Sequence, residues 1–368
     1  MFPCISILIW TGGKCRIKRM VTQHDIAAKL GISHATVSRV LNNSSNHDDD
    51  TRARVLALAA QMGYRHLRPT VRRGRSRQNE LTLLGVMIES NDLQHLDVPI
   101  VSRRMLRGIS EAVRMERIAI HVDYVPVGDA DQIHLSERQP MILKERHLAG
   151  LLLIGRYSIP AMRCISRRLP CVRLNVHEPE LDLDCVGQHD LDAMDKLVEH
   201  LRGLGHAQIG FLSEPPHFWP IQARLAGYSL ALARHGLQYR PERVILNAAS
   251  ASLGDWGNSY RQVLAQIRSG VRAWICNHDD VSYGLLRFLK SENLRVPQDV
   301  SLCGFDNLDP TDKLPKMTSI DWPFEDIGAA AVRRLLRRGI EPATAALHIM
   351  IRGRLVAGAT TAALSLRG

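Results

Sequence analysis

Six short apolar runs set the architecture of most of this chain: LTLLGVMI (81–88), IAIHVDY (118–124), LAGLLLIG (148–155), AQIGFLS (207–213), RAWICN (272–277) and DVSLCGFD (299–306). Each has the length and branched apolar content of a buried strand, and helical patterning separates them. Such alternation demands parallel sheets joined by right-handed crossovers. Two groups of runs imply two lobes, so the predicted fold of this part is a two-lobed α/β unit. Ligands of open parallel sheets sit beyond the carboxyl ends of the strands, and a cleft between lobes adds burial.

Upstream of residue 80 the texture differs. TQHD (22–25) reads as a capping box with Asp in place of Glu, opening a helix through Leu30. GIS turns the chain, and Ser33 caps a second helix within SHATVSRVLN (33–42). On that helix Val37, Val40 and Leu41 form one stripe, while Ala35, Arg39 and Asn42 lie opposite. An ordinary solvated face carries long charged side chains; this one is small and ends in hydrogen-bond donors, as close approach to a partner requires. A third helix follows from DDDTRARVLALAAQMG: Asp48, Asp49 and Asp50 sit at its positive end, Val55, Leu58 and Met62 face inward, and Gly63 closes it. Helix, short glycine turn, helix is the geometry of an all-α helix-turn-helix.

Charge separates the two parts. The net charge is +11, and residues 1–78 hold fourteen Lys and Arg against four Asp, leaving 34 basic and 33 acidic groups in the rest. A basic head on a neutral body is the footprint of a nucleic-acid binder. Residues 65–79 alone carry six arginines and no acid, which suits phosphate or minor-groove contact as well as a solvated linker. The seven cysteines show no CxxC pair and no metal-ligand spacing, so they read as reduced thiols of a cytoplasmic protein that needs no metal or cofactor. ISILIW near the start is too short for a membrane span, and its basic residues follow it rather than precede it. Met20 directly before the first helix marks residues 1–19 as an upstream extension.

The chain resembles the lactose-repressor type, LacI/GalR family of bacterial transcriptional regulators. The resemblance rests on VTQHDIAAKLGISHATVSRVLN with TRARVLALAAQMGY, then HLRGLGHAQIGFL, ARLAGY, LRVPQDVSLCGFD and RLVAGATTA, in that order across residues 20–362. It implies a helix-turn-helix DNA-binding domain at 20–64, a hinge at 65–79 and a sensor at 80–362 of the type I periplasmic-binding-protein kind. Within the sensor, the N-lobe covers about 80–187 and 318–341 and the C-lobe about 188–317 and 345–362, with a tail at 363–368. The resemblance also implies a homodimer, a double-stranded operator of approximate two-fold symmetry, and a small effector, read here as sugar-like.

The family pattern places base reading on His34, Ala35 and Arg39. An arginine donates a bidentate pair to guanine, and an alanine methyl suits thymine or lets the helix sit deeper. Thr22, Ser33, Thr36, Ser38 and Asn42 are placed for phosphates, where they fix register. The hinge departs from the pattern: it is about two residues shorter, Val71 stands where a leucine wedge is usual, and Pro69 precedes it. Arg68, Arg72, Arg73 and Arg75 then supply affinity through phosphates. For the effector, the resemblance carries over Arg224, Asp279 and Asp306, with His278 replacing the asparagine that usually precedes the aspartate. Asp190, beside His189, and the ring faces of Trp219 and Trp322 complete the candidates. A solute-binding receptor shares the lobes but has no use for residues 21–64. A sugar kinase with an attached helix-turn-helix needs a phosphate loop, and no DxGxT, Walker-type or GxGxxG sequence occurs. GxSxG and HExxH are also missing, so the chain reads as a repressor and not an enzyme.

Overall fold

A computed structural model of the chain describes residues 7–11, 14–18, 21–41, 49–62, 64, 83–90, 100–135, 139–145, 147–216, 219–247, 256–310 and 313–364. The expectations for Asn42, Gly63, the whole linker with Arg68, Val71, Arg72, Arg73 and Arg75, and the last residues of the tail lie outside them.

The backbone of β1 (Ile7–Thr11) and β2 (Lys14–Lys18) pairs as an antiparallel ribbon within the expected upstream extension. Three helices follow, α1 (Gln23–Leu30), α2 (His34–Leu41) and α3 (Asp49–Gln61). Ile26, Val37, Val40, Val55 and Leu58 are fully buried and close the helical core. Leu41 and Met62, expected there, are only half-buried. α3 is buried on more than one face, because it packs on α1 and α2 and on elements further along the same unit.

The alternating region begins with β3 (Leu83–Ser90), α4 (Ile100–Met115), β4 (Ala119–Pro126), the single turn α5 (Val127–Ala130), β5 (Leu148–Ile154), α6 (Ile159–Ser166), β6 (Cys171–Leu174) and β7 (Asp184–Gln188). It continues with α7 (Asp190–Gly203), β8 (Ile209–Ser213), α8 (Trp219–Arg234), β9 (Val244–Leu246), α9 (Gly257–Arg268), β10 (Ala273–Cys276), α10 (Asp279–Ser291) and β11 (Ser301–Phe305). The described chain closes with β12 (Thr318–Asp321), α11 (Phe324–Ile340), β13 (His348–Ile351) and β14 (Arg354–Val356). The first sheet has the order β4-β3-β5-β6-β7 in parallel, with β13 on its edge; the second runs β9-β8-β10-β11-β12 in parallel, with β14 antiparallel on its edge.

Two compact units result: Met1–Leu174, Pro179–Val186 and Phe324–His348 form the first, and Asn175–Glu178, Gly187–Pro323 and Ile349–Gly368 the second. The sequence reading returns the chain to the first lobe at 318. Instead β12 pairs with β11 (Cys303 opposite Thr318), so it belongs to the second sheet and the return starts at Phe324. The strands are buried on both faces, as parallel sheets covered by helices require: β5, β7, β8, β10 and β11 are almost wholly buried.

A buried ion cluster anchors α11 in the first unit. The fully buried Asp184 carboxylate accepts from Arg334 at 2.7 Å, from Arg338 at 2.7 and 2.9 Å and from the Leu347 amide at 2.8 Å. Burial opposes its charge, but the two guanidinium groups outweigh that and hold its pKa below the usual carboxylate value. Cys171, Cys185, Cys276 and Cys303 are buried free thiols, and Cys164 is half-buried. No helix of the described residues is long and apolar enough to cross a membrane.

Candidate DNA-reading face and sensor site

The helix-turn-helix geometry is set by local chemistry. Thr22 caps α1: its amide and Oγ1 each donate to Asp25 Oδ2 at 2.7 Å, and the Asp25 amide donates back to Thr22 Oγ1 at 3.3 Å, so the box expected with Asp forms. Gly31 ends the helix at φ 66°, a left-handed conformation that suits glycine, and returns its N–H to the Ala27 carbonyl. Ser33 Oγ accepts the Thr36 amide at 3.0 Å and lies 2.8 Å from Thr36 Oγ1. These two caps fix where α2 starts and therefore which residues face out.

With Val37 and Val40 buried, His34, Ala35 and Arg39 are exposed, and Thr36 and Ser38 are half-buried beside them. Thr22 and Ser33 are exposed while serving as caps. One neighbour escaped the sequence reading: the exposed His24 of α1 stacks on His34, with ring centroids 4.1 Å apart and planes at 16°. The pattern that exposes His24 at the second position of α1 was legible; its contact across the turn was not.

The second unit gathers a polar site past the carboxyl ends of β8, β10 and β11, with α7 and α8 supplying two further groups. Arg224, 6 % exposed, lies in its centre. Its Nε donates to Asp190 Oδ1 at 2.8 Å, its Nη1 donates to the Asn277 carbonyl, its Nη2 lies 3.9 Å from Asp306 Oδ1, and its guanidinium stacks 4.3 Å over the Phe305 ring. Burial opposes the guanidinium charge, but Asp190 and Asp306 more than offset this and raise its pKa. Arg224 therefore braces the site floor, with its donors aimed at protein acceptors.

Asp279 is fully buried. Both of its oxygens accept from Ser319 Oγ, at 2.9 and 3.0 Å, and Oδ2 accepts the Leu308 amide at 2.8 Å. It thus pins the loop that carries Asp306. Burial first, then the charge of Asp306, pushes its carboxyl pKa up to about 8. Asp306 sits at φ 94° and Asn307 at φ 50°, left-handed conformations that side chains other than glycine rarely adopt. Held strain of this kind concentrates at functional sites.

The aromatic candidates part company. Trp322 is fully buried and stacks on Phe305 with centroids 6.4 Å apart, so it belongs to the core and cannot offer a ring face to a ligand. Trp219 is half-buried at the start of α8 and meets His177 edge-on at 4.7 Å. His189 caps α7, accepting the Asp192 amide at 3.2 Å.

Two residues unmarked as a pair in the sequence complete the site. Glu214 follows β8 and His278 follows β10, and Glu214 Oε1 lies 3.0 Å from His278 Nε2, while Asn277 Nδ2 donates to Glu214 Oε2. They stand 64 residues apart in sequence and meet only because β8 and β10 are neighbours in the sheet.

Comparisons with known proteins bear on the family and the fold. Residues 22–66 match the family described as bacterial regulatory proteins, lacI family, and residues 198–361 match the periplasmic binding protein-like domain. The chain is similar to the HTH-type transcriptional repressor CytR of Escherichia coli (strain K12), 31 % identical over 319 residues that cover 86 % of this chain and 89 % of the relative. It is also similar to the lactose operon repressor of the same strain, 28 % identical over 86 % of this chain and 84 % of that one. Among solved structures, the Lac repressor bound to ONPG in the repressed state superposes with a TM-score of 0.63 at 25 % identity, covering 93 % of this chain and all of that one. A CelR-cellobiose complex shares the fold with a TM-score of 0.65 at 22 % identity, covering 92 % of this chain and 99 % of that one.

Proposed function

The chain belongs to the LacI family of bacterial regulatory proteins, and from that premise we propose that it represses transcription by reading an operator with α2 and releasing or gripping it in response to a sugar-like effector. The observation that carries the reading is the division of α2: Val37 and Val40 are buried while His34, Ala35 and Arg39 stand exposed together at its outer face. Arg39 has the fork that pairs with guanine O6 and N7, Ala35 leaves room or meets a thymine methyl, and His34 supplies a donor or acceptor. Thr22, Ser33, Thr36 and Ser38 flank them for phosphate contact.

The effector site of this proposal is the polar cluster past β8, β10 and β11, where open parallel sheets bind their ligands. Arg224, Asp190 and Asp279 hold it in shape, and Asp306 offers a carboxylate to ligand hydroxyls. The Lac repressor's complex with ONPG supports a small ligand at a sensor of this fold. The working unit is a homodimer, whose two reading heads meet successive major grooves about 34–36 Å apart. Effector and operator affinities are then linked: a ligand that binds one arrangement of the heads more tightly shifts operator affinity by the same factor.

The test is selection of genomic fragments by the purified full chain, followed by footprinting. The expected result is a protected, nearly palindromic site whose affinity changes when a sugar is added. Only salt-sensitive, unselective DNA binding would overturn the reading.

A further inference from the structure

We propose that Glu214 and His278 act as a paired charge that makes the sensor site of the second unit select uncharged, hydroxyl-rich ligands and reject their acidic counterparts. The inference rests on the sugar-sensor reading above and adds the charge class of the ligand.

The groups at this site fall into two sets. Arg224 and Asp190 have side chains only 7 % and 2 % exposed and satisfy each other, and Asp279 is fully buried on its own partners. The remaining groups are the ones a ligand can touch: Glu214 at 29 %, His278 at 30 % and Asp306 at 14 %. They line three neighbouring strand ends, β8, β10 and β11. Asn277, buried at the end of β10, spends its amide nitrogen on Glu214 and so fixes that carboxylate in place.

The titratable groups around His278 are Glu214 from the end of β8, Asp306 from the end of β11, Asp280 and Asp279 from α10, the latter favoured in its neutral form by burial, and Arg224, which interacts with Glu214 and Asp306, from α8. Burial pulls the imidazole toward neutrality, but the hydrogen bond to Glu214 and the surrounding carboxylates outweigh it and raise its pKa. Burial likewise works against the Glu214 charge, and His278 reverses it, holding that carboxyl below its usual range. The accessible face therefore sets the Glu214 and Asp306 carboxylates beside an imidazole that its Glu214 hydrogen bond biases toward the protonated form. Among the described residues at these strand ends, an acidic ligand meets Glu214 and Asp306 with the His278 imidazole already paired to Glu214. Ligand hydroxyls, in contrast, donate to both carboxylates and accept from the imidazolium Nδ1–H.

The test uses the full-length protein, its thermal unfolding midpoint and its tryptophan fluorescence, with galactose, glucose and cellobiose as probes, each beside its acid: galacturonate, glucuronate and cellobionate. At least one neutral sugar is expected to bind about tenfold or more tightly than its acid. E214Q removes one carboxylate and narrows that preference; H278N removes the cation and widens it. Opposite shifts in two variants cannot come from a general loss of folding. An acid that binds as tightly as its neutral partner, or two variants that shift the preference the same way, overturns the inference and leaves the sugar-sensor reading standing. If no probe of either kind binds, the sugar-sensor reading fails and this inference falls with it.

Discussion

Asp279 makes a quantitative prediction about how the second unit responds to pH. Its side chain is fully buried, and burial together with Asp306 pushes its pKa from 3.8 to about 8. In the unfolded chain the same carboxyl ionises at the ordinary value. Between these two pKa values the unfolded state has released the proton and the native state has kept it, so raising the pH favours unfolding. Stability supplied by this neutral acid is complete below the unfolded pKa and declines as pH rises toward 8. One group with that imbalance raises the unfolding constant about tenfold per pH unit. D279N is nearly the same shape and cannot titrate; with its amide oxygen placed where Asp279 Oδ2 lies it accepts the Leu308 amide, and its Nδ2 donates to Ser319 Oγ. Urea unfolding of wild type and variant at pH 5, 6, 7 and 8 isolates the term, because all other groups cancel in the difference. The variant is expected to gain on the wild type steadily across the series. A difference that stays constant with pH would mean that Asp279 is ionised throughout, and the argument from burial would be refuted.

Three further outcomes are expected. Arg39→Ala should cost sequence discrimination, by about 1–3 kcal/mol at one base position, more than it costs affinity for random DNA; equal losses on both in a filter-binding assay would refute the base-reading role. Asp184→Asn should destabilise the first unit by about 3–5 kcal/mol in chemical denaturation, because Arg334 and Arg338 are left without their counter-charge. Since the folded pKa of Asp184 is lowered, its contribution is present above the unfolded carboxylate value and is lost as pH falls through the folded one. Thr22→Ala should remove the cap of α1 and cost about 0.5–2 kcal/mol, read as faster amide exchange in Gln23–Leu30 with the rest of the chain unchanged.

What was legible in the sequence was what local chemistry determines. The Thr22 to Asp25 box, the Ser33 cap and the buried Val37–Val40 stripe join residues three or four positions apart, so spacing alone displays them. The six apolar runs appear as β3, β4, β5, β8, β10 and β11 for the same reason. Shorter strands were missed: β9 and β14 have three residues each, too few for periodicity to mark. The place of β12 depends on which sheet edge is open, a property of the assembled sheet. At the sensor site the resemblance located Arg224, Asp190, Asp279 and Asp306 in one region. It did not say which way they point, and Arg224 and Asp279 turn out to face protein partners. Trp322 illustrates the same gap, since an aromatic at a strand end fits core and site equally well until its neighbours are known. His278 was named from the resemblance, but Glu214 and its pairing with His278 could be found only by counting across the sheet.

The left-handed backbone at Asp306 sets evolution two incompatible tasks at one residue. Glycine would relieve a strain of order 1–3 kcal/mol there, so selection for heat tolerance alone should repeatedly choose Asp306→Gly. Each such winner would lose the carboxylate that faces Arg224 and, on the proposed reading, the ligand. Heat-hardened descendants of this regulator would accordingly tend to be deaf ones, whose grip on their operators no longer changes with the sugar.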